Sequence, residues 1–264
     1  MRINHNMMAA NAHRSLGVNT GAQTKSLEKL SSGLQINRAA DNAAGLSISE
    51  KMRSQIAGLD QSSKNAQDGV SFLQTAEGAM NEVSDMLVRV QDLVTQRANG
   101  TYSADDQANI DLELTQLTGE MTDVVSNTKF NGQSIDGTIN VCVGGDTGTL
   151  TAIGVAGIAA GADFAALTAA TGATMTTTMV NDAITEINTV RSTFGAQQNK
   201  LEHVVKNLDT TSENLQSAES RIRDTDMAKE MANFNKYNIL VQASTSMLSQ
   251  ANSSQQSILS LLRG

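Results

Sequence analysis

The chain contains no proline and no tryptophan, one cysteine, and five phenylalanines and two tyrosines among 264 residues. A chain of this length carries roughly a dozen prolines on average. Their absence excludes Pro-punctuated loops, collagen-like sequence and proline-rich linkers, and it removes the strongest limit on helix length. The scarcity of aromatics leaves few large anchors for a thick globular core. Hydrophobic residues at 39% suffice to line helix seams. A single cysteine excludes an internal disulfide framework and a cysteine zinc cluster, and Cys142 is expected as a small buried hydrophobe. No uncharged apolar run is long enough to span a bilayer, so no membrane insertion is expected. The opening Met1–Ala10 lacks the continuous apolar region of a secretory signal peptide. Export would therefore take another route.

The formal net charge is −8, which argues against nucleic acid as a partner. The distribution is uneven. Residues 1–41 carry five basic and two acidic groups, residues 42–224 eleven and twenty-three, and residues 225–264 three and two. An acidic middle thus lies between two ends of small positive charge, and such ends can pack together without strong self-repulsion.

What is present is heptad periodicity. Val180, Ile187, Phe194, Leu201, Leu208, Leu215 and Ile222 recur every seven residues, with Ala183, Val190, Val204 and Ala218 three positions on. This is a narrow seam along one helix of about 65 Å. Leu73, Met80, Leu87 and Val94 form a matching series with Ala76, Val83 and Val90, followed by a helix stop at Asn99-Gly100. Ser103 and Asp106 have the spacing of an approximate capping box. Beyond them Ile110, Leu114, Leu117, Met121 and Val124 mark a shorter helix that turns back. Three such seams predict a mainly α fold, an elongated helical bundle or coiled coil formed by both chain halves.

Residues 131–175 interrupt the pattern, with nine of the twenty glycines and no Lys or Arg between Lys129 and Arg191. Asn131-Gly132 and Asp136-Gly137 are turn signals, and Thr138–Val143 alternates like a short strand. A small β-hairpin followed by a Thr/Ala/Gly-rich loop is expected. The ends carry sparse apolar stripes: Ile3, Met7, Leu16, Leu27, Leu30 and Leu34 in the first, and Met227, Met231, Phe234, Val241, Leu248, Ala251, Ile258 and Leu262 in the last. Neither end can bury its stripe alone. Each is either partly disordered until it meets another apolar helix, or paired with the other end in the monomer. The expected division is 1–43 and 225–264 as terminal helices that pair, 44–130 and 180–224 as bundle helices, and 131–179 as the insert.

Enzymatic chemistry finds little support. His5, His13 and His203 form no His-Glu-x-x-His, the glycines are not followed by Gly-Lys-Ser/Thr, and no serine or cysteine has a partner at a recognisable spacing. Asp105-Asp106 is read as a complement to a helix dipole. Catalytic, cofactor and metal residues are all expected to be absent. Amphipathic ends flanking a helical bundle imply assembly with further copies or with a helical partner, and head-to-tail contacts that do not close make filaments.

Several segments then carry a resemblance. Ile3-Asn-His-Asn6, Ala12-His-Arg-Ser-Leu16, Leu30-Ser-Ser-Gly-Leu-Gln-Ile-Asn37 and Asp41-Asn-Ala-Ala-Gly-Leu-Ser-Ile48 resemble the N-terminal signature of bacterial flagellins. Ala218-Glu-Ser-Arg-Ile-Arg-Asp-Thr-Asp-Met-Ala-Lys-Glu230, Ile239-Leu-Val-Gln-Ala243 and Ile258-Leu-Ser-Leu-Leu-Arg263 resemble the C-terminal one. The likeness covers residues 1–130 and 180–264 and is that of a short form with a minimal central region. It implies a structural subunit that polymerises with itself into the flagellar filament used for motility, outside the cell, exported without a cleaved signal peptide. Implied partners are an export chaperone on the C-terminal helix, cap and hook-junction proteins, and a host Toll-like receptor. For the receptor the resemblance points to Leu87-Val-Arg-Val-Gln-Asp-Leu93 and a returning Glu, hence Arg89, Leu93 and Glu113. The family usually has Gln at Val88 and a second Arg at Gln91. The residues alone also allow Arg89 and Glu113 to be solvated charges and Leu93 part of the seam. A helical secretion-system translocator or a coiled-coil interaction protein is the alternative, and it would not need both signatures.

Overall fold

A computed structural model describes residues 6–144, 150–153 and 162–263. Its elements in chain order are α1 (Met7–Ser32), α2 (Ala43–Arg97), α3 (Ala104–Asn127), β1 (Lys129–Phe130), β2 (Gln133–Ser134), β3 (Ile139–Cys142), β4 (Leu150–Ile153), α4 (Ala162–Ala169), a 3-10 turn (Gly172–Thr174), α5 (Thr177–Arg223) and α6 (Met227–Arg263). The fold is mainly α. The chain forms two compact units, one of residues 1–54 with 215–264, the other of residues 55–214.

In the 55–214 unit, the two heptad series face each other. Leu73, Ala76, Met80, Val83, Leu87 and Val90 of α2 are fully buried, as are Val180, Ala183, Ile187, Phe194 and Leu201 of α5. Polar pairs flank the seam. Ser212 donates to Asp60 (2.8 Å), Ser63 to Asp209 (2.9 Å), Gln198 to Glu77 (3.1 Å) and Gln91 to Asn181 (3.0 Å). Each step forward along α2 is matched by a step back along α5, so the helices run antiparallel. The third helix adds Ile110, Leu114, Met121 and Val125 to the same core. It opens on the capping box its sequence predicts: Ser103 Oγ accepts from Asp106 N–H, and the Asp106 carboxylate accepts from Ser103 N–H, both at 3.2 Å.

Asn131 and Gly132 both have positive φ (50° and 82°). This is the geometry an Asn-Gly pair supplies in a two-residue hairpin turn, here joining β1 to β2. The alternating stretch forms β3, which pairs antiparallel with β4 from Ile139 opposite Ile153 to Cys142 opposite Leu150. Val141 of β3 is buried, as is Val143 just after it. Cys142 is half-buried, a correction to the small buried hydrophobe expected from sequence. With Ile139, Asn140 and Val141 of the same strand, Cys142 lines a cavity of about 550 Å³ beside Phe72 and Phe130.

Of the stretch expected as a loop or stub, residues 145–149 and 154–161 lie outside the described residues, and residues 162–174 form α4 and the 3-10 turn, both packed. Phe164, Leu167 and Met175 are buried in the core. Glu186 of α5 accepts from the backbone N–H groups of Asp163 and Phe164 (3.2 and 2.9 Å), capping α4 from outside its own segment. Gly172 sits against α3 so closely that a Cβ there would lie 2.7 Å from Asp111 Cα.

In the other unit, α1 and α6 pack against one another. Asn6 Nδ2 donates to the Ala251 carbonyl (3.0 Å) and Asn19 Nδ2 to Ser244 Oγ (3.1 Å). The Asn6 side chain also caps α1, and Gly33 closes it in the left-handed region at φ 71°.

Candidate functional site

Among the described residues, no group of His, Cys, Asp and Glu could hold a metal ion, and no helix is long and apolar enough to cross a membrane. Three features of the surface and linkers remain.

The first is the terminal helix pair. The residues of the expected stripes are covered only in part. Leu16, Leu30, Leu34, Phe234, Val241 and Leu248 are half-buried, Ala251 is buried, and Met7, Leu27, Met227 and Met231 remain exposed. Ile3 lies outside the described residues. Ile258 and Leu262 lie on α6, but their side chains are also outside them. The structure adds exposed apolar residues outside those stripes: Met8, Val18, Ile239, Leu240 and Met247. Leu240 and Met247 are themselves seven apart, directly before Val241 and Leu248, so a second heptad series was present in the sequence. A soluble surface rarely carries so many large apolar side chains without a partner.

The second feature joins the linkers of the same unit. Leu34 forms an antiparallel bridge with Asp224. Gln35 N–H donates to the Arg223 carbonyl (2.6 Å) and Thr225 N–H to the Gly33 carbonyl (2.9 Å). Arg223 Nη1 meets Glu50 Oε1 at 2.8 Å. The Asp41 carboxylate accepts from the N–H groups of Arg38 (3.0 Å) and Asn37 (3.3 Å). The Arg38 N–H is the largest influence holding the Asp41 carboxyl below its ordinary range, with Lys29 and Lys25 adding to it. The Arg223 hydrogen bond does the same for Glu50. A Cβ at Gly45, at the start of α2, would lie 2.7 Å from Ile36 Cδ1 and 2.8 Å from Asn42 Nδ2, so those side chains would have to shift. Most of the clasp lies in the segments 30–37, 41–48 and 218–230 named above for their resemblance, with Arg38 and Glu50 just outside them.

The third feature comprises Arg89, Leu93 and Glu113, which the structure sorts into two kinds. Arg89 of α2 and Glu113 of α3 form an ion pair, with Nη2 and Nε at 2.8 and 3.1 Å from Glu113 Oε1. Both are about half exposed. Exposed Val88 and Leu112 adjoin them in sequence. Leu93 is 2% exposed and belongs to the core.

The chain matches two family models: the bacterial flagellin N-terminal helical region over residues 3–138 and the bacterial flagellin C-terminal helical region over residues 177–262. It is 48% identical to a flagellin of Halalkalibacterium halodurans, with both chains covered in full. It is 43% identical to the flagellar filament 31.3 kDa core protein of Treponema maltophilum, again over the whole of both. A crystal structure of Bacillus cereus flagellin is similar at 32% identity and a TM-score of 0.48, covering 55% of this chain and 88% of that one.

Proposed function

This chain belongs to the bacterial flagellin family, and on that premise we propose that it is a structural subunit which polymerises with further copies of itself into the flagellar filament, and not an enzyme. The observation that carries this reading is the incompletely covered terminal helix pair, whose large exposed apolar side chains need a second partner. Full-length relatives named as filament core proteins support the same reading. The α1–α6 faces would pack against those of neighbouring copies, where small net charges at both ends permit close approach. Before assembly, a chaperone would cover the C-terminal helix. Cap and hook-junction proteins would meet the subunit at the filament's ends, and export to the flagellum would proceed without a cleaved signal peptide. Purified chain added to filament seeds should elongate them into long tubes visible by electron microscopy. Absence of growth from freshly refolded chain would overturn the reading.

The exposed Arg89–Glu113 pair supports a further role as a recognition surface for a host Toll-like receptor. Here the two charged groups would make the contact, while Leu93 would act from below by holding α2 in place. A receptor-reporter cell assay tests this, with Arg89→Ala expected to lower the response of an otherwise folded chain.

A further inference from the structure

The chain has twelve methionines, and their surroundings differ sharply. Met80 and Met121 are fully buried in the core, and Met175 is nearly so. Met7, Met8, Met227, Met231 and Met247 are exposed by about half or more, all on α1 and α6. Two of these five belong to one groove. Met8 on α1 and Met247 on α6, 67% and 60% exposed, line a groove of about 390 Å³ together with the apolar Ala12, Leu240 and Ala243 and the polar Asn11, Ser15 and Ser244. Met7, Met227 and Met231 do not line it.

A thioether fits such a place because it is apolar, unbranched and polarizable, so it adapts to an incoming side chain. The same sulfur is a soft nucleophile. Oxidation converts it to a sulfoxide, a polar and chiral group that disrupts Met-rich interfaces.

We propose that Met8 and Met247 form a redox-sensitive modification site, at which oxidation by a hydroperoxide closes the α1–α6 groove to a second copy of the chain. The inference rests on the filament reading above. In the reaction, a sulfur lone pair attacks one peroxide oxygen and the S–O bond forms as the O–O bond breaks. The proton on the transferred oxygen passes to the departing one, which leaves as water, or as an alcohol from an organic hydroperoxide. The sulfur loses two electrons and the peroxide gains them. Sulfoxide reductases reverse the change. In the free chain both sulfurs are open to the oxidant. Once a second copy fills the groove they are covered, so the state that responds is the unassembled subunit. A sulfoxide set against the apolar side chains of an incoming copy lowers association by roughly tenfold or more.

The test compares the full-length wild-type chain, the double variant Met8→Leu/Met247→Leu and the triple variant Met7→Leu/Met227→Leu/Met231→Leu, each with and without dilute hydrogen peroxide. Leucine keeps the apolar volume and cannot form a sulfoxide. Peptide mass mapping should show one added oxygen at Met8 and Met247 well before Met80 and Met121. Seeded elongation of wild type and triple variant should then fall by roughly tenfold or more. The double variant should keep elongating after peroxide, and the pair of methionine sulfoxide reductases, one for each epimer, supplied with a thiol reductant should restore the wild type. Undiminished elongation of the oxidised wild type, or equal sensitivity of the double variant, overturns the proposal. Failure of untreated wild-type chain to elongate seeds instead overturns the filament reading, and this inference with it.

Discussion

Arg223, the last residue of α5, reaches Glu50 in the second turn of α2, with Nη1 and Oε1 2.8 Å apart and the arginine side chain only 14% exposed. Arg53 shares the same carboxylate oxygen at 3.3 Å. The pair ties residues 173 positions apart at the place where both linkers meet.

This carboxylate makes the linker clasp sensitive to acid. The Arg223 hydrogen bond holds the Glu50 carboxyl below its ordinary value of 4.5, and the Arg38 N–H likewise lowers Asp41 from 3.8. A depressed folded-state value contributes stability that is fully present above the ordinary value and is lost as pH falls through the depressed one. Thermal melts recorded from pH 7 downward should therefore be flat until about pH 4.5 and then decline. Glu50→Gln should show a lower plateau and a shallower acid decline. An identical pH profile for the two chains would refute the assignment.

Gly172→Ala should destabilise the 55–214 unit by about 1–3 kcal/mol, because the new methyl would overlap the Asp111 backbone in α3. Asp111 also pairs with Arg97 of α2, so displacement of the 3-10 turn reaches both helices. Chemical denaturation measures the loss. Gly119→Ala on the same α3 has open space and should be neutral or slightly stabilising.

Removing the acceptor in Glu186→Ala strands two backbone N–H groups at the start of α4. A capping loss of about 1 kcal/mol is expected. Its signature is local: amide exchange over residues 163–169 should accelerate while the α2 core amides stay protected. Uniform loss of protection would show that α4 is part of one cooperative unit with the bundle.

Arg89→Ala and Leu93→Ala should separate contact from support. The first removes half of an exposed ion pair and should change stability by no more than about 1 kcal/mol. The second empties a core position and should cost about 2–5 kcal/mol. If the receptor reads the Arg89–Glu113 surface, Arg89→Ala lowers signalling with an unchanged melting temperature, while Leu93→Ala lowers both.

The sequence made the long seams legible because heptad spacing has a single structural solution over so many turns. Val180 to Leu208 and Leu73 to Val94 are buried as the period requires. Ser103–Asp106 and Asn131-Gly132 were readable for a related reason: their partners lie within three residues, so local chemistry decides them. What was hidden depends on distant partners. Nothing near Ala162 announces a helix, because its cap comes from Glu186. Nothing near Gly172 announces close packing, because the surface it meets is Asp111. Leu93 lies between two seam positions, and its burial follows from α3 covering that side of α2. Leu240 and Met247 were obscured by the stronger stripe beside them, which drew the apolar assignment to one face.

The antiparallel match of α2 with α5 carries a last consequence. A seam that repeats every seven residues is a ruler with identical marks: sliding one helix by a heptad brings apolar side chains opposite apolar side chains again, at little loss in burial. The polar contact at Asp60 is less interchangeable, since a shift of one heptad would set it opposite Val205 or Glu219 in place of Ser212. Hydrophobic burial decides that the helices adhere, and a modest polar contact helps decide where along their length they stop.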